Sequence, residues 1–368
     1  MSGGDILCER RNRVAFITLN RPAALNALTL EMIQELHALL RDVAADPALS
    51  AVLLNGAGDK AFCAGGDIRA LYDSAKSGGS LHEEFFLDEY RLDHYLHVYP
   101  KPVIAVVDGI TMGGGMGLAQ GASLRIAGER TRIAMPEVGI GLFPDVGGSY
   151  FLSRLRGALG PYLALTGAQI RAADALYTGL ADCYLAPEAA ERLAPAFENL
   201  AWSSGSVVED LDATIRALAS DPPRPNPAAQ SLLLAALRPA IDEHFGKPTV
   251  AAILKSLRGE TRPGIAEWAG QTLRLLLRRS PTMMSVALEA LQRGRTMSLG
   301  DCFRMEAGMT RGCFSQGDFV EGVRALIIDK DNAPQWQPAR IEDVTPDSIA
   351  AFFKDPWAGG AHPLAELN

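Results

Sequence analysis

Basic residues are the minority charge in this 368-residue chain: 35 lysines and arginines stand against 43 aspartates and glutamates, a formal charge of −8. That balance argues against a general nucleic-acid or anionic-membrane surface, while leaving room for a small basic site for a phosphorylated ligand. Cysteine is also sparse. Cys8, Cys63, Cys183, Cys302 and Cys313 are odd in number and lack close paired spacing, so neither a disulfide framework nor a zinc knuckle is suggested, and a reduced compartment fits best. No apolar run reaches the roughly 18 residues of a membrane span. Residues Met1 to Arg13 contain no apolar leader core, so a cytoplasmic protein without membrane partners is expected. The chain also lacks Gly-x-x-x-x-Gly-Lys-Ser/Thr, which removes the common phosphate-loop enzymes.

What remains is a composition 48% hydrophobic and 21% charged, that of a globular protein long enough for one large core with an appendage, or for two domains. Within it, Met135 to Tyr150 places two acids, Glu137 and Asp145, in an otherwise apolar run broken by four glycines and two prolines. A carboxyl in apolar surroundings is costly to ionise, so its pKa moves toward neutrality, where it can exchange protons with a substrate. The segment alone leaves a second reading open, in which Glu137 caps a helix and Asp145 satisfies backbone amides in a turn.

Short buried strands are predicted at Val14–Leu19, Ala51–Leu54 and Val103–Val107, with further strands at Ser123–Ala127 and Asp182–Leu185. Thr29 caps a predicted helix whose apolar positions Met32, Ile33, Leu36, Leu39, Leu40 and Val43 follow helical spacing. Ser80 opens a second, ended by Pro100 and Pro102, and a buried helix follows Gly115. Strand, helix, strand implies parallel pairing. Beyond Gly147 the pattern becomes helical, with Ser204–Asn226 reading as a linker and the stretch from Ala333 as irregular.

Two glycine clusters precede the acids: Ala61-Phe-Cys-Ala-Gly-Gly-Asp-Ile68 after the second strand, and Gly109-Ile-Thr-Met-Gly-Gly-Gly-Met-Gly117 after the third, opening a helix. Glycines at such points let a ligand approach backbone N–H groups closely. Two N–H groups converging on one oxygen form an oxyanion hole, worth roughly 3 kcal/mol per donor.

The succession of Asn20-Arg-Pro22 with Asn26-Ala-Leu28, Phe62-Cys-Ala-Gly-Gly-Asp-Ile68, Gly113-Gly-Gly115, Met135-Pro-Glu137 and Phe143-Pro-Asp-Val-Gly-Gly148 resembles the crotonase, or enoyl-CoA hydratase/isomerase, superfamily over roughly Ile6 to Asp182. The resemblance implies an α/β fold built as a spiral of ββα turns with a helical C-terminal region, divided here as residues 1–200 carrying the active site and 201–368 mainly helical. It places an oxyanion hole at the N–H groups of Gly66 and Gly114, and lays the segment Ala64, Asp67 and Ile68 along the coenzyme A of an acyl-CoA substrate. Asp67 and Arg69 equally read as helix caps. No separate cofactor is implied, and relatives often form homo-oligomers.

Hydratases of this superfamily carry a Glu two residues after the glycine triplet. Here that position is Gly117, while Asp145 stands where hydratases generally have glycine. In both respects the chain resembles the 3-hydroxyisobutyryl-CoA hydrolase subgroup. That resemblance implies hydrolysis of a short 3-hydroxyacyl-CoA in valine breakdown. Glu137 would act as nucleophile or general base, Asp145 would hold the 3-hydroxyl, and Glu89 of Asp88-Glu-Tyr-Arg-Leu92 would reach the substrate end. A hydratase or isomerase using Glu137 alone, and a non-catalytic acyl-CoA binder, are the alternatives. His94 and His97 lie one helical turn apart with no third ligand near, so no metal site is expected. Cys63 reads as a small packed residue, and Met112, Met116 and Phe143 as walls of an acyl pocket or simply as core.

Overall fold

A computed structural model describes residues 4–203, 205–223, 233–315 and 318–368. Its strands are β1 (Ile6–Arg11), β2 (Val14–Leu19), β3 (Ala51–Gly56), β4 (Ala61–Cys63), β5 (Val103–Val106), β6 (Ile110–Met112), β7 (Leu124–Ala127), β8 (Arg132–Ala134) and β9 (Cys183–Tyr184). They form a six-stranded sheet in the order β1-β2-β3-β5-β7-β9 and a three-stranded sheet β4-β6-β8. Each turn of the chain thus delivers one strand to the large sheet and the next to the small one, which is the ββα spiral. Within the six-stranded sheet, pairing among the described residues is parallel from β2 through β9, and β1 runs antiparallel to β2.

The predicted strands are present at or within a residue or two of their expected bounds. Continuous apolar runs such as Val14–Leu19 and Ala51–Leu54 are buried on both faces, as expected of parallel strands. The three-residue strands β4, β6 and β8 were not anticipated, and neither was β1. Its sequence, Ile-Leu-Cys-Glu-Arg-Arg, exposes most of its side chains at the sheet edge, and it is returned to β2 by Asn12 and Arg13, both at positive φ (42° and 65°).

Helix α1 (Leu30–Ala45) starts where expected, with the Thr29 side chain accepting from the Met32 N–H at 3.2 Å and Met32, Ile33, Leu36, Leu40 and Val43 buried. Then come α2 (Ile68–Lys76), α3 (Leu81–His97) and α4 (Gly114–Gly121). The expected linker is corrected over most of its length: Val207–Leu218 is a helix capped by Ser206, with Leu211 and Ile215 buried. Its Val207, Leu211, Ile215 spacing is helical, and this outweighs the polar, proline-rich flanks. Residues 204 and 224–226 of that stretch lie outside the described residues. The C-terminal stretch is not irregular throughout, since Pro346–Phe352 is a helix opened by a capping box on Thr345.

The chain divides into two compact units. One comprises Met1–Gly66, Leu92–Ile133 and Gln169–Leu233, the other Asp67–Arg91, Ala134–Ala168 and Leu234–Asn368. The first contains the six-stranded sheet, whose Val14, Phe16, Ala51, Leu53, Ile104 and Ile126 pack against Leu193, Phe197, Leu211 and Ile215 of the helices Pro187–Glu198 and Val207–Leu218. The second is helical and carries both acids of the Met135–Tyr150 segment. Among the described residues, no helix is long and apolar enough to cross a membrane.

Candidate active site

In the first unit the two glycine clusters meet. A Cβ placed on Gly65 would lie 3.1 Å from the Met112 carbonyl oxygen and 3.5 Å from the Gly114 nitrogen, and one on Gly115 would overlap the backbone of Cys63. Side chains would therefore hold the two strand ends apart, and their absence lets the segment ending in Gly66 lie beside the start of α4. Gly114 is the first residue of α4, so its N–H is among the donors that a helix start leaves without an intrahelical acceptor. The Leu28 N–H donates to the Gly65 carbonyl at 2.8 Å and the Ala64 N–H to Leu25 at 3.0 Å, fixing the course of the loop. Cys63 is fully buried at the end of β4.

The same unit explains Gly117. The buried carboxyl group of Asp93 occupies the space a side chain there would need, and a Cβ on Gly117 would lie 2.7 Å from Asp93 Cγ. His97 lies nearby in sequence on α3. Burial, then the His94 and Arg125 charges, push its pKa down to about 4. Among the described residues, no group of three His, Cys, Asp or Glu side chains gathers as a metal site.

In the second unit the three predicted acids are all buried, Glu89 at 2% exposure and Glu137 and Asp145 at 5% each. Glu137 opens a 3-10 turn over Glu137–Gly139, where its carbonyl accepts from the Ile140 and Leu142 N–H groups at 3.0 Å. The turn is braced from behind. Arg279 lies against Gly139 and donates to the Thr166 carbonyl at 2.8 Å, and the Ser280 N–H donates to the Val138 carbonyl at 3.3 Å. Gly141, at φ 76°, meets the backbone of Asp318 and Phe319 with no room for a side chain.

Asp145 begins a second turn, closed by the Gly148 N–H donating to its carbonyl at 2.6 Å. Its carboxylate accepts the Tyr90 hydroxyl at 2.7 Å, and that hydroxyl lies 2.8 Å from Thr310 Oγ1. Behind the turn is a carboxyl that no sequence signal had singled out. Glu306, fully buried, accepts from the Gly147 N–H at 2.8 Å, from the Ser149 N–H at 2.9 Å, and from the Ser149 hydroxyl.

Electrostatics link these groups. Burial raises Glu137 well above the ordinary glutamate range, the Asp145 charge raises it further, and its own backbone amide and Arg279 pull it back. Burial likewise raises Glu89, with the Asp145 and Glu137 charges adding to it. Asp145 is raised by burial to about 6, restrained by the Tyr90 bond. The Asp145 charge thus raises both glutamates and the Glu137 charge raises Glu89, so ionising Asp145 favours a retained proton on its neighbours.

The other predicted residues have plainer surroundings. Asp67 caps α2, accepting from the Ala70 N–H at 3.3 Å, and Arg69 donates to the Ile327 carbonyl at 3.3 Å. Ala64 and Ile68 are half-buried. Met116 and Phe143 are fully buried, Met112 half-buried. Sequence reasoning missed Tyr90, Thr310, Glu306 and Arg279. A usable signal existed for Glu306. On the helix Leu299–Ser315 it falls on the stripe Cys302, Phe303, Glu306, Met309, Thr310, Cys313, where an acid is out of place on an apolar face.

The spiral of ββα turns, the paired glycine loops and the buried acids define an acyl-CoA enzyme fold, and residues 14–353 match the enoyl-CoA hydratase/isomerase family; the chain belongs to it. Its relatives include the mitochondrial 3-hydroxyisobutyryl-CoA hydrolase of Rattus norvegicus, 40% identical over 95% of this chain and 89% of that protein. The enzyme of that name from Danio rerio is 40% identical over 96% and 90%. Among solved structures, a carnitinyl-CoA dehydratase from Mycobacterium thermoresistibile is similar at 39% identity and a TM-score of 0.86, covering 96% of this chain and 98% of that one.

Proposed function

We propose that the protein hydrolyses the thioester of a short 3-hydroxyacyl-CoA, with 3-hydroxyisobutyryl-CoA of valine breakdown as the substrate. The observation that carries this reading is the pairing of an empty hydratase position with a full acid cluster. Gly117 supplies no carboxyl and its space is taken by Asp93, while Glu137, Asp145 and Glu89 are buried together. The names of the full-length relatives agree with it.

In this reading the thioester oxygen accepts the N–H groups of Gly66 and Gly114, which stabilise the charge that develops when the carbonyl is attacked. Ionised Glu137 delivers the attack, either directly, forming a mixed anhydride that water then opens, or by taking a proton from the attacking water. Both routes break the C–S bond and end with the acid and free thiol. Asp145 accepts the substrate 3-hydroxyl and assists proton transfer to the departing sulfur, which takes the proton Glu137 has drawn from water or, in the direct route, one that the acid cluster recovers when water opens the anhydride. Glu89, disfavoured as an anion by both the Asp145 and Glu137 charges, donates to the hydroxylated end. Residues 64–68 run along the coenzyme. Water is the only co-reactant, and coenzyme A leaves as product.

A hydroxyl-selective site follows from the same chemistry, because a buried carboxylate left without its hydroxyl partner is penalised. The test is thiol release from 3-hydroxyisobutyryl-CoA and from a panel of plain acyl-CoAs, alongside hydration of crotonyl-CoA. Thiol release confined to the hydroxylated substrates supports the reading. Hydration without thiol release would establish the hydratase alternative that the dehydratase relative brings forward. Binding without either reaction would leave an acyl-CoA binder.

A further inference from the structure

We propose that the helix Leu299–Ser315 is the positioning device for Asp145, with Glu306 holding the backbone of its turn and Thr310, through Tyr90, holding its carboxylate. The inference rests on reading Asp145 as a substrate-facing acid and assigns residues that the reading itself does not need.

The turn requires holding. Val146 sits at φ 51°, a left-handed conformation that a β-branched residue adopts only when its surroundings impose it, and Gly147 follows at φ 82°. Glu306 imposes it. Its Oε2 accepts the Gly147 N–H at 2.8 Å and its Oε1 accepts the Ser149 N–H at 2.9 Å together with the Ser149 hydroxyl. Both oxygens act as acceptors toward the turn. Burial raises Glu306 to about 8, and the same three donors hold it down from a still higher value.

The other end is held from the same helix. Thr310 follows Glu306 by four residues, which places both on one helical face. Its Oγ1 lies 2.8 Å from the Tyr90 hydroxyl, and since that hydroxyl gives its single proton to Asp145 Oδ2 at 2.7 Å, Thr310 is the donor of the pair. Tyr90 and Thr310 are buried, at 0% and 4% exposure. Asp145 is therefore aimed by two residues one helical turn apart, one acting on its backbone and one on its carboxyl group.

The test uses Glu306→Gln and Tyr90→Phe in the full chain. Glutamine replaces one acceptor oxygen by a donor and opposes an N–H of the turn; phenylalanine removes one hydroxyl and keeps the ring. In each folded variant, kcat on the hydroxylated thioester should fall about 10- to 100-fold, the range of one hydrogen bond to a charged group. The preference for hydroxylated over plain acyl chains should fall with it, while KM stays near wild type. A merely structural role would lower melting temperature and leave the preference intact. Independently of turnover, the 13C resonance of the Asp145 carboxyl is titrated. Its midpoint should rise in Tyr90→Phe, which loses the bond that favours the anion. Wild-type failure to release thiol would sink the proposed function and leave this readout standing. An unmoved Asp145 midpoint in folded Tyr90→Phe, or an unchanged acyl preference in an active enzyme, would overturn the positioning role. If Glu306→Gln does not fold, Tyr90→Phe decides alone.

Discussion

Asp93 fills the place that a side chain at position 117 would take: a Cβ on Gly117 would lie 2.7 Å from its Cγ and Oδ1. The exchange is steric as much as chemical. Gly117 lies inside α4, where Gly→Ala ordinarily stabilises by about 0.5–1 kcal/mol. Here the added methyl would press on a short, fully buried side chain, and overpacking of that kind costs about 1–3 kcal/mol. Gly117→Ala is expected to lower stability in urea denaturation, reversing the usual sign. Gly117→Glu is expected to gain no activity on crotonyl-CoA, because the space for its carboxyl is taken.

Glu137→Gln keeps the shape of the side chain and removes its charge. Hydrolysis should fall by about a thousandfold or more, with coenzyme A binding by calorimetry unchanged. Retained turnover would remove Glu137 from the chemistry. In wild type, single turnover in H218O followed by mass spectrometry separates the two routes. Label in the Ile133–Arg154 peptide marks direct attack; label confined to the product acid, with no Glu137 hydroxamate formed when hydroxylamine is added, marks general base catalysis.

Arg279 is mostly buried behind the Glu137 turn, and its charge favours the ionised form of Glu137. Ionised Glu137 is the active form, so kcat/KM should climb with pH through a midpoint above the usual carboxylate range. Arg279→Met removes the favourable charge, and that midpoint should move to higher pH. An unmoved limb in a folded, active variant would show that another group sets it.

Burying Asp145 costs stability wherever it must ionise. Its pKa rises from 3.8 in an unperturbed chain to about 6 in the fold. The folded protein therefore keeps the proton to higher pH than the unfolded chain, and this group's contribution to stability declines as pH rises from about 3.8 to 6, then levels off. The change corresponds to at most about 3 kcal/mol. Asp145→Asn avoids it while still accepting from Tyr90. The variant should gain on wild type between pH 4 and pH 6 in parallel urea titrations and hold a constant advantage above that range.

The parts of the site legible in the sequence were those whose local context was odd. Glu137 and Asp145 are acids in an apolar, glycine-rich run, and the two glycine clusters interrupt strand and helix patterns at their ends. Glu89 was reached only through the family motif, since Asp88 and Arg91 beside it make it look like part of a solvated helix face. Arg279, in Arg278-Arg-Ser280, reads as surface charge, and only the fold tucks it behind residue 139. Glu306 lies 161 positions beyond Asp145 in the chain, and long-range pairing of this kind leaves no local mark except an acid on an apolar stripe. Strands β2, β3, β5, β7 and β9 were legible because buried parallel strands are apolar throughout, while β4, β6 and β8, of three residues each, are too short to show a pattern. Edge strand β1 was not legible, because half-exposed strands share their composition with loops.

Gly141 and Gly322 make the Glu137 turn and the helix Asp318–Val323 touch backbone to backbone: a Cβ on Gly322 would lie 2.6 Å from the Ile140 carbonyl oxygen, and one on Gly141 2.6 Å from the Phe319 nitrogen. With no side chain between them, neither segment has slack against the other. Amide hydrogens at 139–142 and at 319–323 should therefore exchange with solvent as one cooperative block, at a single opening free energy, although some 180 residues of chain separate them.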